Sequence, residues 1–114
     1  MFSSSINEFT NPLPPKEVHF LELKVEPWED KSRLKIFVKI SQFSIAPNLN
    51  FFIKDKENSL LSEVTLIENI ETDFVFTMHL RNYSDQKDLC IFGEIFYGDE
   101  IGVVNSISTE FSLS

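Results

Sequence analysis

The sequence predicts an all-β domain, a seven-stranded antiparallel sandwich made of two sheets. Apolar and polar residues alternate with a period of two in seven short segments, and this alternation is typical of a strand with one buried face. Polar turns recur at intervals of about 8 to 12 residues, which is the spacing of strands in β-sandwiches. Twelve phenylalanines among 114 residues provide bulky, strand-favouring side chains for a core between the sheets.

The second segment has the clearest alternation. Its four apolar side chains share one face and its basic side chains share the other; the apolar ones are Leu34, Ile36, Val38 and Ile40. The same alternation predicts the full set of strands at 17–25, 33–41, 49–54, 60–67, 73–81, 89–97 and 103–113.

The alternation also predicts which side chains face the core. In the first segment, one face is expected to hold His19, Leu21, Leu23 and Val25, and the other Val18 and Phe20. In 89–97 both faces are apolar, which indicates a central strand covered on both sides. In the last segment the expected inward residues are Val103, Ile107, Phe111 and Leu113.

Proline and small polar residues mark the turns, since the chain has only three glycines. Pro27 ends the first strand because proline cannot donate a hydrogen bond to a ladder. Residues 17–23 and 60–69 are also compatible with a helix, and these alternatives stay open. The pattern as a whole favours an immunoglobulin- or fibronectin-III-like sandwich, without the paired-cysteine core of antibody domains because Cys90 is the sole cysteine.

The domain organisation expected from the sequence is an N-terminal extended tail over 1–15 and a β-sandwich domain over 16–114. Pro12, Pro14 and Pro15 hold φ near about −65° and lack backbone N–H groups, which suits an extended lead-in to the first strand. The same prolines could instead serve as a docking peptide for an aromatic groove in a partner.

Charge and composition exclude several classes of partner. The net charge is −8, with ten basic residues against eighteen acidic ones, so neither nucleic acid nor an anionic membrane surface is an expected partner. One cysteine allows no internal disulfide, and the N-terminus lacks the basic start and apolar stretch of a signal peptide. No apolar run approaches the ~20 residues of a membrane span. The sequence therefore predicts a soluble, cytoplasmic protein that is not inserted in a membrane.

No cluster of residues is patterned for catalysis, so the sequence predicts no enzyme, no cofactor and no metal. His19 and His79 are some sixty residues apart, and zinc sites usually have three or four ligands with a short spacing. Cys90 lies in an apolar strand, where the pKa of a thiol is raised and its nucleophilicity is low. The chain has no GxSxG elbow and no glycine-rich phosphate loop.

Aromatic residues on nominally wet faces are the most informative functional signal. Phe37 lies among basic residues on the second strand, Phe52 lies between Asn50 and Lys54, and Trp28 lies in an acidic turn. Several exposed aromatics on one surface indicate a partner, because monomers seldom expose a large apolar patch. The predicted interaction surface therefore consists of Trp28, Phe37, Phe52, Pro12, Pro14 and Pro15.

Residues 14–97 resemble a group of short uncharacterised bacterial all-β proteins. The shared pattern is VxPW…FxxxPN…FTMHLR, and its most specific parts here are Val25-Glu26-Pro27-Trp28 and Phe76-Thr77-Met78-His79-Leu80-Arg81. The group has no established activity. The resemblance therefore implies a stand-alone all-β domain and transfers no catalytic residues.

These observations predict a non-catalytic β-sandwich that acts as a protein-interaction or structural module, by binding another protein or by self-association. The alternative is a ligand-binding sandwich that holds a carbohydrate or Ca²⁺ at its loop end, with Trp28 as the platform on which a sugar stacks. Three acidic turns support the calcium alternative; they contain Glu26, Glu29 and Asp30, then Glu68, Glu71 and Asp73, then Asp99 and Glu100.

Overall fold

The computed structural model describes residues 12–80, 88–98 and 100–113. This part of the chain forms one 3₁₀ turn and seven strands: the turn at Pro15–Glu17, β1 Phe20–Pro27, β2 Arg33–Ile40, β3 Asn48–Asp55, β4 Leu60–Leu66, β5 Asp73–His79, β6 Asp88–Phe96 and β7 Val103–Ser112. Each strand coincides with a segment predicted from the alternation, and 60–69 begins with a strand rather than a helix. The all-β prediction is confirmed.

The seven strands form two antiparallel sheets. One sheet has three strands in the order β1-β2-β5, and the other has four strands in the order β4-β3-β6-β7. The chain therefore changes sheet after β2, after β4 and after β5, while β1-β2, β3-β4 and β6-β7 are sequential hairpins. This arrangement confirms the immunoglobulin- or fibronectin-III-like sandwich.

The core lies between the two sheets and is formed by the inward half of the alternating residues. Its centre is Phe51 of β3, which is fully buried and whose ring centroid lies 6.1 Å from that of Phe20 and 5.0 Å from that of Phe76. Opposite this ring, β6 has Gly93. A Cβ atom at Gly93 would lie 3.0 Å from the Phe20 ring and 3.1 Å from the Phe51 ring. Glycine at this position therefore makes room for the aromatic cluster.

Strand β1 departs from the predicted alternation. Its register against β2 shifts between Phe20 and Glu22, so Phe20 and Leu23 are both buried and Leu21 is exposed. The prediction that Leu21 shares a face with Leu23, and that Phe20 lies on the other face, is wrong, because an extra residue in a β-bulge resets which face each side chain occupies. His19 is half-buried just before the strand, and its Nδ1 lies 2.8 Å from the Glu17 carbonyl oxygen.

A second register shift changes the start of β7. The shift falls between Ile95 and Phe96 of β6, so Val103 lies opposite the outward-facing Phe96 and is exposed. Val103 was expected on the inward side with Ile107 and Leu113. The bulge places it on the outer face instead, while Ile107 and Leu113 pack with the core.

The two open sides of the sandwich differ. On one side β1 lies beside β7, and side chains of β7 bind the backbone of β1: Asn105 Oδ1 accepts from the Phe20 N–H at 2.9 Å, and the Thr109 hydroxyl donates to the Leu23 carbonyl at 3.0 Å. On the other side β4 lies near β5, and no hydrogen bond between these strands is present in the described ranges.

Candidate interaction surfaces

The outer face of the three-stranded sheet presents an aromatic ring between lysines. Phe37, on the central strand β2, is half-buried, with Lys24 Nζ 5.5 Å and Lys35 Nζ 5.6 Å from its ring centroid. Lysine ammonium groups at this distance are attracted to the ring face. Phe37 is flanked in register by Lys24 on β1 and by Val75 on β5, so the three form a row across the sheet.

Trp28 adjoins this face at the β1–β2 turn. A shallow groove of about 130 Å³ lies between Trp28 and Lys35, which also contacts Phe37. The Arg33 guanidinium lies over the indole ring, with its Cζ 4.3 Å from the centroid. The structure therefore places Trp28 and Phe37 on one surface, which we call the aromatic–cation face and define by Trp28, Arg33, Lys35, Phe37 and Lys24.

The turn that positions Trp28 is organised by Asp30. Its carboxylate accepts from the Ser32 N–H at 3.1 Å and from Arg33 Nε at 3.2 Å. The Ser32 N–H is the main cause, with Arg33 assisting, of an Asp30 pKa below its usual value. Because Asp30 also orients Arg33, it fixes the cation over one face of the Trp28 ring. A sugar stacking on Trp28 would therefore have only the other ring face available.

Phe52 lies on the opposite side of the molecule, on the outer face of the four-stranded sheet. Its ring stacks on Phe92 of the neighbouring strand, at 5.1 Å between centroids and 13° between planes, and Lys54 Nζ lies 5.5 Å from it. Phe52 therefore belongs to a different surface from Trp28 and Phe37. The sequence predicted cover on both faces of 89–97, whereas in the structure Phe92 lies on the outer, half-buried face of β6.

The proline segment occupies a third place. Pro12 and Pro14 are exposed and Pro15 begins the 3₁₀ turn, while Leu13 between them is attached to the domain. The Leu13 N–H donates to the Gln42 carbonyl at 3.3 Å, and the Leu13 carbonyl accepts from the Ser44 N–H at 3.0 Å. Residues 1–11, which form most of the predicted tail, lie outside the described residues.

Residues capable of chemistry do not converge. His19 precedes β1, beside Ser41 at one end of the three-stranded sheet; His79 lies opposite Arg33 at the other end of that sheet. Cys90 lies on the four-stranded sheet, where burial and the nearby Glu110 raise the pKa of its thiol, as the sequence predicted. In the described ranges no three His, Cys, Asp or Glu residues are grouped to hold a metal ion. Over the same residues, no helix has the length and apolar character needed to cross a membrane.

The side of the sandwich between β4 and β5 has exposed apolar residues. Ile67, Ile70 and Val75 line an open groove of about 560 Å³ that Phe74 and Phe76 also line. Their exposed fractions are 66% for Ile67, 80% for Ile70 and 48% for Val75. The sequence did not predict that Ile67 and Ile70 are exposed. They lie at the end of a strand and in an acidic turn, where alternation does not indicate which way a side chain points.

Comparison with known proteins identifies the class of fold. No family model and no curated protein matches the chain. A glycosyl hydrolase family 2 member from Bacteroides cellulosilyticus matches with a TM-score of 0.62 and 11% identity, over 84% of this chain and 15% of that one. A β-glucuronidase from Ruminococcus gnavus, in complex with D-glucuronic acid, matches with a TM-score of 0.58 and 12% identity, over 84% of this chain and 16% of that one.

These likenesses define the chain as a β-sandwich domain. Identities of 11% and 12% show a shared fold and no more. The chain spans 15–16% of the length of the hydrolases it matches, so the matched part is a domain-sized fraction of a much larger protein.

Proposed function

We propose that this chain is a non-catalytic β-sandwich module that binds another protein through its aromatic–cation face. The observation that supports this proposal is the placement of Trp28 and Phe37 on one outer surface, with Lys35 lining the groove beside Trp28 and lying 5.6 Å from the Phe37 ring centroid. Neither ring is fully buried, so a partner that covers them would remove apolar area from water, which favours binding.

The chemistry of the face indicates the chemistry of the partner. Tryptophan and arginine are enriched among residues that dominate binding energy, and lysine stems add apolar area while their ammonium groups stay solvated. The face contains Lys24, Arg33 and Lys35, and two of these cations are paired on the face itself, Lys24 with Glu26 and Arg33 with Asp30, each at 3.2 Å. We therefore expect a partner surface with an apolar centre and charged groups of both signs at its edge.

The non-catalytic part of the proposal rests on the separation of reactive groups. His19, His79 and Cys90 lie at three distant places in the fold, and Cys90 has a raised pKa. The activity of the matched glucuronidases is not transferred, because a likeness at this identity concerns the fold alone. Cytoplasmic location remains a prediction from the sequence.

The test compares two matched phenylalanines. Phe37 and Phe52 are both half-buried outer-face residues with a lysine 5.5 Å from the ring, on opposite sheets. We expect the Phe37→Thr variant to lose a protein that the immobilised wild-type chain captures from the lysate of its native cell, and the Phe52→Thr variant to retain it. Threonine preserves strand propensity, and thermal unfolding of both variants checks that each is folded.

Two results would contradict the proposal. One is capture of the same proteins, in the same amounts, by the wild type and by Phe37→Thr. The other is loss of capture by Phe52→Thr alone, which would move the binding surface to the four-stranded sheet.

A further inference from the structure

The free edge of β5 is the least protected strand edge in the described part of the sandwich. Its pairing with β2 runs from Arg33 opposite His79 to Lys39 opposite Asp73 without a register shift. Sheet edges are normally protected against pairing with other chains by bulges, prolines, lysines or covering elements. Strand β5 has no proline, lysine or register shift.

The other three edge strands each have such protection. The pairing of β1 is shifted between Phe20 and Glu22, the strand ends at Pro27, and β7 side chains bind its backbone. The pairing of β4 is shifted at Ile53/Lys54, and that of β7 at Ile95/Phe96. The difference singles out β5 as the edge at which another strand could be added.

Hydrogen bonds at both ends of β5 establish which backbone groups point outward. The Leu80 N–H donates to the Ser32 carbonyl at 2.8 Å, and the Thr72 carbonyl accepts from the Ile40 N–H at 2.9 Å. Antiparallel pairing alternates along a strand, so even-numbered residues of β5 bond to β2 and odd-numbered residues direct N–H and C=O groups away from it. The outward set is Asp73, Val75, Thr77 and His79.

We propose that a second copy of this chain pairs with the free edge of β5, strand to antiparallel strand, about a two-fold axis at Phe76. In this register all four outward residues of each copy face outward residues of the other. Val75 lies opposite Thr77 of the second copy, and Asp73 lies opposite His79 of the second copy. The two three-stranded sheets become one six-stranded sheet.

The side chains argue for a second copy rather than an unrelated strand. An interface about a two-fold axis must be self-complementary. The sequence Asp73-x-Val75-x-Thr77-x-His79 is complementary to itself when two copies pair antiparallel. The carboxylate of Asp73 meets the imidazole of His79 twice, once on each side of the axis, and a directly opposite acid–base pair is favourable. A foreign strand would have this complementarity only by coincidence.

Burial favours the same arrangement. Val75 is 48% exposed and Phe74 and Phe76 are half-buried beside the edge, in the groove that Ile67 and Ile70 also line. Pairing about Phe76 covers Val75 and the edge beside Phe76 in both copies, which removes apolar area from water. Ile67 and Ile70 precede Asp73 and therefore lie at the two ends of the paired strands. The inference is independent of the aromatic–cation face, although pairing would set the two such faces side by side.

The test is the mass of the full chain in solution. Light scattering after size-exclusion chromatography, over a range of concentrations, is expected to give about twice the 13.2 kDa chain mass for the wild type. A lysine on the β5 edge should block pairing, so the Val75→Lys variant should be monomeric. Val103 is the matched control, because it is 54% exposed on the β7 edge strand, and Val103→Lys should remain dimeric.

The register has its own test. His79→Asp sets two carboxylates opposite each other and should raise the dimer dissociation constant about tenfold. Adding Asp73→Lys to that variant restores opposite charges and should restore the wild-type dissociation constant. A double variant whose dissociation constant stays as high as that of His79→Asp would contradict the register about Phe76.

Three outcomes would overturn the dimer itself. They are a monomeric wild type at all concentrations, a Val75→Lys variant that stays dimeric, and a Val103→Lys variant that dissociates equally. If Val75→Lys does not fold, Thr77→Lys, at the next exposed position of β5, replaces it in this test and should likewise be monomeric. Capture of a foreign protein that Val75→Lys abolishes and Phe37→Thr retains, by a monomeric wild type, would overturn the dimer and assign the edge to that protein. Failure of the dimer leaves the comparison of Phe37→Thr with Phe52→Thr unaffected, so the two proposals can fail separately.

Discussion

The two open sides of this sandwich differ in how the edges of the two sheets are connected. Between β1 and β7, side chains bind backbone: Asn105 and Thr109 cross from one sheet to the other and bond to the N–H and C=O groups of β1. Between β4 and β5, no such bonds are present in the described ranges, and exposed apolar residues such as Ile67 and Val75 line the gap. The comparison teaches that hydrogen bonds within the chain close one side, whereas the other side leaves apolar side chains exposed.

The largest expected effect concerns packing on the closed side. A Cβ at Gly93 would lie 3.0 Å from Phe20 of β1 and 3.3 Å from Ile107 of β7. We expect Gly93→Ala to lower the free energy of unfolding by about 1–3 kcal/mol, the usual cost of overpacking. Chemical denaturation measures it, with Gly98→Ala as control because nothing lies within 4 Å of a Cβ there. Equal stability of the two variants would contradict the tight packing inferred at Gly93.

The next effect concerns the hydrogen bonds of the closed side. Asn105→Ala removes the acceptor of the Phe20 N–H, and we expect a loss of about 1–2 kcal/mol in the free energy of unfolding. The exposed neighbour Ser106 is the control, and Ser106→Ala should change stability by less than about 0.5 kcal/mol. If both substitutions are neutral, the side-chain bonds between β7 and β1 do not stabilise the closed side.

On the open side, removing an apolar side chain should cost little. Ile70 is 80% exposed, so Ile70→Ser should change the free energy of unfolding by less than about 0.5 kcal/mol. The same denaturation measurement applies. A loss of more than 1 kcal/mol, on the order of a buried residue, would show that the open side is part of the core of the chain.

The smallest effect concerns a contact that belongs to neither side. The buried Tyr97 hydroxyl donates to the Ile45 carbonyl at 2.8 Å, and burial raises the pKa of this phenol. A raised pKa in the folded state means that the stabilisation is complete below the ordinary pKa of about 10 and is lost as pH rises through the folded-state pKa. In thermal unfolding from pH 8 to 11, the wild type should therefore lose more stability than Tyr97→Phe. Parallel curves would contradict this assignment.

Part of the proposed interaction surface can be predicted from the sequence. Phe37 was marked by its outward position among lysines, and its ring lies between Lys24 and Lys35 as that position implies. Phe52 was marked by the same logic, yet it lies on the other sheet and stacks on Phe92. Alternation gives the facing of a residue within its own strand, whereas the sheet to which the strand belongs depends on pairing between distant segments.

The bulges were the main failure of the sequence-based prediction. Leu21 and Phe20 exchanged faces, and Val103 turned outward, because a single extra residue reverses the alternation beyond it. The sequence also could not predict that the edge of β5 is unprotected. An edge exists only after the strand order is known, and the strand order follows from contacts between residues far apart in the chain.

By itself, the sequence determined where the seven strands lie and which residues form most of the core, since a period of two is a local property that burial of one face imposes. The tertiary structure alone decided that Trp28 and Phe37 share a surface, that Phe52 does not, and that β5 ends a sheet without protection. The physical reason is the range of the interactions. Alternation is a property of neighbouring residues, whereas sheet order and edges arise from hydrogen bonds and packing between segments that are distant in sequence.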